Sequence, residues 1–216
     1  MTSDPILRDM LRDFDAKQQN ERFVNDFWRS VTNAQRQLCQ WRGWGFLMEI
    51  NAEATLTADT RYVALASDFG RLINDHCVRD TTNGNYLERI TMRQAEDEYY
   101  EDGSSTGEVD KFWIVNQTMY FTPIPDSADT VKYSYFKKPS AVTANSNTLL
   151  VPEDYQELLT LMTKDRLIKL GHAPIMDVVV TKDDIQELRY EAMQDDIARY
   201  REIRANLKRR TRKMRY

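Results

Sequence analysis

Apolar residues recur with a helical period at both ends of the chain and with a strand period between them. Asp4-Pro5 reads as a helix start, a capping acid followed by proline, and Ile6, Leu7, Met10, Leu11 and Phe14 follow at helical spacing. Residues 15–20 form a polar break. A second helix is expected from Glu21 to Trp41, with Phe23, Phe27, Val31, Ala34, Leu38 and Trp41 as its stripe. Trp28 lies off that stripe, so this helix should bury more than one side. Gly43 and Gly45 end it.

The period then changes. Phe46 to Ile50, Ala54 to Leu56 and Tyr62 to Ala66 are short apolar runs separated by turn-forming residues, which predicts extended segments, and Phe69 to Val78 is a further one. Asn83-Gly84-Asn85 signals a turn, with Tyr86 to Thr91 expected to pair across it. Met92 to Glu101 reads as an acidic helix and 102–107 as a loop. Phe112 to Val115 and Met119 to Thr122 flank Asn116-Gln117 as a hairpin. Pro123 and Pro125 stop its second strand, because proline cannot donate to a ladder. Thr130 to Phe136 alternates, placing Val131, Tyr133 and Tyr135 on one face.

Helices return at the end. Pro152 to Leu170 is apolar around most of its circumference, which predicts a central helix, and Gly171 stops it. Thr181 caps a last helix with Asp184 three residues on. The stripe of that helix, Ile185, Leu188, Ala192, Met193, Ile197, Tyr200, Ile203 and Leu207, is narrow and predicts a surface position. The order of elements gives an α+β fold. Residues 1–45 and 151–207 should form a helical bundle, 46–150 an inserted antiparallel β-rich lobe, and 208–216 a basic C-terminal arm.

With 216 residues and 41% hydrophobic content, one domain with a large insertion and a sizeable core is expected. No apolar run approaches the roughly 20 residues that span a bilayer, and no signal segment is read at the N-terminus. Cys39 and Cys77 are isolated thiols, which favours a reducing, intracellular compartment over a disulfide or zinc framework. Charge changes the picture more. The net charge is −4, yet residues 199–216 carry nine Lys or Arg against the single acid Glu202, which leaves −12 on the first 198 residues.

Candidate chemistry is thin. His76 adjoins Cys77, but neighbouring side chains on a strand point to opposite faces, so they make no nucleophile–base pair. His172 follows Gly171 and reads as a helix-terminal residue interacting with the dipole. Glu96, Asp97, Glu98, Glu101 and Asp102, and the pairs Asp183-Asp184 and Asp195-Asp196, could bind Mg²⁺ or act on a glycoside; on exposed helices they read as solvated faces. The tryptophans 28, 41, 44 and 113 could stack bases, but they fall on core stripes and strand faces. No catalytic, cofactor-binding or metal-binding residue is therefore assigned. The six cations of Lys208 to Arg215 suit a phosphate-binding tail, an arm for an acidic protein partner, or a solubilising tail.

The order of elements resembles the head-to-tail adaptor (connector) proteins of tailed bacteriophages, the podovirus tubular tail protein A-like family included. The similarity runs through Ala34 to Phe46 (AQRQLCQWRGWGF), Leu56 to Tyr62, Ser67 to Arg71 and Tyr86 to Ile90. It is closest at Phe112 to Pro125 with Val131 to Pro139 and Leu150 to Tyr155, and covers about 30–175. The chain departs from the family pattern at Ala66-Ser67, where Leu-Pro is common, and at Gln117, where a glycine is common. The resemblance implies a non-enzymatic virion protein of the head–tail junction, made in the host cytoplasm. It implies a homo-oligomer, a dodecameric ring beneath the portal, that extends the DNA channel without sequence-specific DNA binding and carries the tail nozzle. The helical bundle would form the ring. The arm Lys208, Arg209, Arg210, Arg212, Lys213, Met214, Arg215 and Tyr216 stands where such proteins reach the portal. A negative channel wall would not hold passing DNA. The alternative is a nucleic-acid-binding factor acting through that same basic tail.

Overall fold

In chain order, the computed structural model, which describes residues 4–14, 20–102, 105–144, 147–175, 180–201, 203 and 205, contains five helices and ten strands among those residues. These are α1 (Asp4–Asp13), α2 (Glu21–Trp41), β1 (Met48–Thr55), β2 (Tyr62–Ala64), β3 (Phe69–Leu72), β4 (Arg79–Asp80) and β5 (Glu88–Arg89). There follow α3 (Met92–Asp102), β6 (Thr106–Gly107), β7 (Lys111–Val115), β8 (Thr118–Thr122), β9 (Ile124–Pro125), β10 (Thr130–Lys137), α4 (Gln156–Lys169) and α5 (Lys182–Arg199). Helices and sheets occupy separate stretches, an α+β fold. The chain divides into two compact units, one of residues 1–47 with 139–216 and one of 48–138.

In the helical unit, α4 packs against α1, α2 and α5. Its buried residues include polar ones, Thr163 and Lys164, beside Leu158, Leu159, Met162 and Leu167. The Lys164 ammonium donates to Asp13 at 2.6 Å, which ties α4 to α1. Pro152 does not open this helix. It precedes a 3₁₀ turn at Glu153–Tyr155, and α4 begins at Gln156. Gly171, at φ +88°, closes it, where a left-handed residue frees the chain to turn back, and the His172 N–H donates to the Leu167 carbonyl.

Asn20 caps α2 by accepting from the Phe23 N–H. Phe23, Phe27, Val31, Ala34 and Leu38 are buried, and each of these but Ala34 contributes about 1.5–3 kcal/mol by leaving water. A second side is buried too, as Trp28 foretold, but polar groups do the holding. Thr32 Oγ1 accepts from Val142 N and donates to Val142 O, and Gln35 accepts from Leu150 N at 2.9 Å. The segment returning from the sheets is thereby fixed to α2. On α5, Thr181 and Asp184 form the expected capping box, and only Ala192 and Asp196 are buried, so the helix lies on a surface.

The β unit places β10 between β1 and β3, with β4 also paired to it, and a second sheet in the order β2-β8-β7-β5. Val131, Tyr133 and Tyr135 of β10 are buried with Phe112, Met119 and Phe121 of the β7–β8 hairpin. Asn116 adopts φ +56° in the hairpin turn, so it takes the left-handed conformation for which glycine is usually chosen. Trp113 points to the opposite side of β7, where Ile90 and Ala95 of the α3 region cover it. The ladders are not all antiparallel: β5 pairs with β7 and β6 with β9 in parallel.

Three sequence expectations shift here. The breaks read at Asn51 fall inside one strand, β1, whose register slips between Glu49 and Ala52 while Asn51 adopts φ +59°. Phe69 to Val78 is strand only as far as Leu72. Across the Asn83–Asn85 turn there is a single bridge, Arg79 to Tyr86, because Glu88 and Arg89 pair instead with β7.

Candidate functional site

The reactive candidates do not converge. Cys77 follows a turn at 75–76 and lies outside any strand, and its thiol donates to the carbonyls of Asn74 and Ser134. Burial raises its pKa, and pushes that of Cys39 up to about 12. His76 is exposed beside it. The His172 ring has a partner beyond the helix end: Nε2 lies 2.9 Å from the Asp26 carboxylate, and the ring meets Phe23 edge-on at 5.1 Å, joining the end of α4 to α2. Glu96 and Asp97 are exposed, while the side chains of Glu98, Glu101 and Asp102 lie outside the described residues. Among the described residues no group of three His, Cys, Asp or Glu is placed to hold a metal, and no helix is long and apolar enough to cross a membrane.

One of the acid pairs is not a solvated face. Asp196 is 0% exposed. Its Oδ1 accepts from the Gly45 N–H at 2.7 Å and its Oδ2 lies 3.9 Å from the Arg42 guanidinium. Asp195, one position earlier and so about 100° around the helix, accepts from the Tyr155 hydroxyl at 2.7 Å and from Arg199, which also reaches Asp154. These bonds hold the Asp195 carboxyl below its usual range; burial, with the carboxylate beside it, raises the Tyr155 hydroxyl.

The opposite wall of this anchor is aromatic. Trp44, Phe46 and Tyr155 cluster with centroids 5.5–5.8 Å apart, and Trp44 Nε1 donates to the Leu38 carbonyl. A Cβ on Gly45 would stand 2.1 Å from the Tyr200 ring, so this glycine is required by close approach and does more than end a helix. Sequence reasoning missed Asp196 and Gly45 in these roles. The signal was present: Asp196 is in helical register with Ala192 and Tyr200 on the inward stripe of α5.

Anchored at its C-terminal end, α5 leaves much of its surface free. A groove of about 400 Å³ is lined by Trp41, Gln186, Arg189, Tyr190 and Met193, with Trp41 45% and Tyr190 60% exposed. Arg189 lies over the Trp41 ring at 5.6 Å; burial lowers its pKa, and its Nε meets no acceptor among the described residues. The outward side of α5 carries Asp183, Glu187 and Glu191, and the outward side of α2 carries Arg22, Arg29 and Arg36. The expected docking residues Lys208, Arg209, Arg210, Arg212, Lys213, Met214, Arg215 and Tyr216 lie outside the described residues.

Helices with charged outer faces, and reactive side chains taken up in structural contacts, suit an assembly protein. The chain belongs to the SU10 adaptor protein family, which matches residues 3–214. It is a phage head-to-tail adaptor, a structural component of the virion, from a family not known for catalysis. No curated protein matches it.

Proposed function

We propose that this chain forms a dodecameric ring beneath the portal, extends the DNA channel and gives the tail nozzle its attachment platform. The helical unit builds the ring, and the basic arm of residues 208–216 docks on the portal. The observation that supports the reading is the family match over residues 3–214. The charge distribution is compatible with it: the −12 of residues 1–198 disfavours retention of DNA in a channel, and the basic end is set apart for a partner. Measuring the mass of the purified full chain, alone and mixed with its portal, tests it. A closed oligomer bound to portal is expected, and a chain that stays monomeric and never binds portal sinks the reading. The competing role, nucleic-acid binding through the tail, requires duplex affinity that falls steeply with salt and vanishes when 208–216 is removed.

A further inference from the structure

The two outward helix faces of the helical unit are complementary. On α2, Arg22, Arg29 and Arg36 recur every seven residues, so they fall on one side of the helix about 10.5 Å apart. That side is opposite the buried stripe of Phe23, Phe27 and Leu38; Asn25, Asn33 and Gln40 share it and are neutral, and the one acid at its edge, Asp26, is taken up by His172. On α5, Asp183, Glu187 and Glu191 recur every four residues over about 12 Å, turned away from the buried Ala192 and Asp196. All six side chains are exposed, and none makes an ion pair or hydrogen bond with another described residue. Other cations of the same unit are held: Arg166 by Gln37, Arg199 by Asp154 and Asp195.

We infer that adjacent copies of this chain join through these faces, the arginine stripe of α2 in one copy lying on the acidic face of α5 in the next. The inference rests on the ring reading above and names its contact surface. Two different surfaces of one chain that attract each other make a heterologous contact, the kind that closes into a ring when the rotation allows. A two-fold contact would have to make both α2–α5 pairings within one patch and would use up both faces at once, whereas a head-to-tail contact uses one face of each copy and leaves the other for the next. The full arginine stripe, about 21 Å, is longer than the acidic face, about 12 Å, so one contact matches two successive arginines, about 10.5 Å apart, to the outer acids, a difference side chains absorb. Each exposed pair alone contributes little, about 0–1 kcal/mol. Several pairs repeated at every contact, partly desolvated and flanked by the exposed Tyr190 and Ile197 on the adjoining side of α5, set register and partner choice.

A charge-swap series on the full chain tests this, with mass photometry as the readout and circular dichroism to verify folding. Arg29→Glu with Arg36→Glu makes both faces acidic; Glu187→Arg with Glu191→Arg makes both basic. Each variant alone should need at least about tenfold more protein to assemble. Mixed one to one, they should assemble like wild type as alternating rings, because each contact regains opposite charges. Wild-type assembly should weaken between 0.1 and 1 M salt, as screening predicts. The inference is overturned if either folded variant assembles alone like wild type, or if the mixture fails to recover. Loss of duplex-DNA affinity in Arg29→Glu/Arg36→Glu with assembly intact would also overturn it, making the stripe a polyanion contact. A wild-type chain that stays monomeric with portal present would reject the ring reading itself, a result distinct from these.

Discussion

Asp196 is the residue on which the geometry of the helical unit turns. A buried carboxylate is stable only when its charge is met by donors, and here the Gly45 N–H and the Arg42 guanidinium stand on its two oxygens. Replacing Asp196 by Ala removes the acceptor of a buried backbone donor, and a loss of about 1–3 kcal/mol is expected in urea unfolding. An unchanged midpoint would show that the anchor is not needed for stability. Asp195 makes a pH prediction. Its folded pKa lies below the ordinary Asp value of about 3.9, chiefly through the Tyr155 hydroxyl and then Arg199, so its stabilisation is present above that value and lost as pH falls through the lowered one. The gap in melting temperature between wild type and Asp195→Asn should hold steady from pH 5 to 7 and shrink below about pH 4. A gap that does not shrink at all below pH 4 would contradict this.

At the scale of elements, the helices were legible in proportion to how local their causes are. The Thr181 capping box was read directly, since it needs only residues three apart. Thr181→Ala should cost about 1 kcal/mol and appear as faster amide exchange in the first turn of α5. The central place of α4 was also legible, from apolar residues on most of its sides. Leu159, fully buried within it, should lose about 2–5 kcal/mol on replacement by Ala, measured by chemical denaturation. The second buried side of α2 was legible from Trp28, but not what holds it. Thr32 and Gln35 look solvent-facing in a sequence, and only the chain at 139–150, more than 100 residues away, supplies their partners. The short strands β4, β5, β6 and β9 carry too few residues to show a period of their own.

The whole molecule is divided in charge as well as in fold. Its net charge of −4 conceals an acidic body and a basic end, and α2 adds an arginine stripe that the total does not reveal. A chain ending at Leu207 loses six cations. It is expected to lose portal binding by at least about tenfold, with its own assembly intact, when the two are followed by co-sedimentation at physiological salt. Retained portal binding would move the docking role away from the arm.

By itself the sequence determined the α+β class, the α2 bounds, the β7–β8 hairpin, the Thr181 cap, the surface position of α5 and the resemblance to phage adaptors. Each rests on spacing within one element or on a local turn. Tertiary structure alone decided the parallel pairing of β5 with β7, the burial of Asp196 against Gly45, the Asp26–His172 contact and the exposure of the arginine stripe. Those depend on which distant segments meet, and residues far apart in the chain carry no periodicity that announces their contact. The same separation explains why adjacent acids met different fates: Asp195 stayed near the surface and Asp196 went inside, because the turn that ends α2 stood ready to receive it.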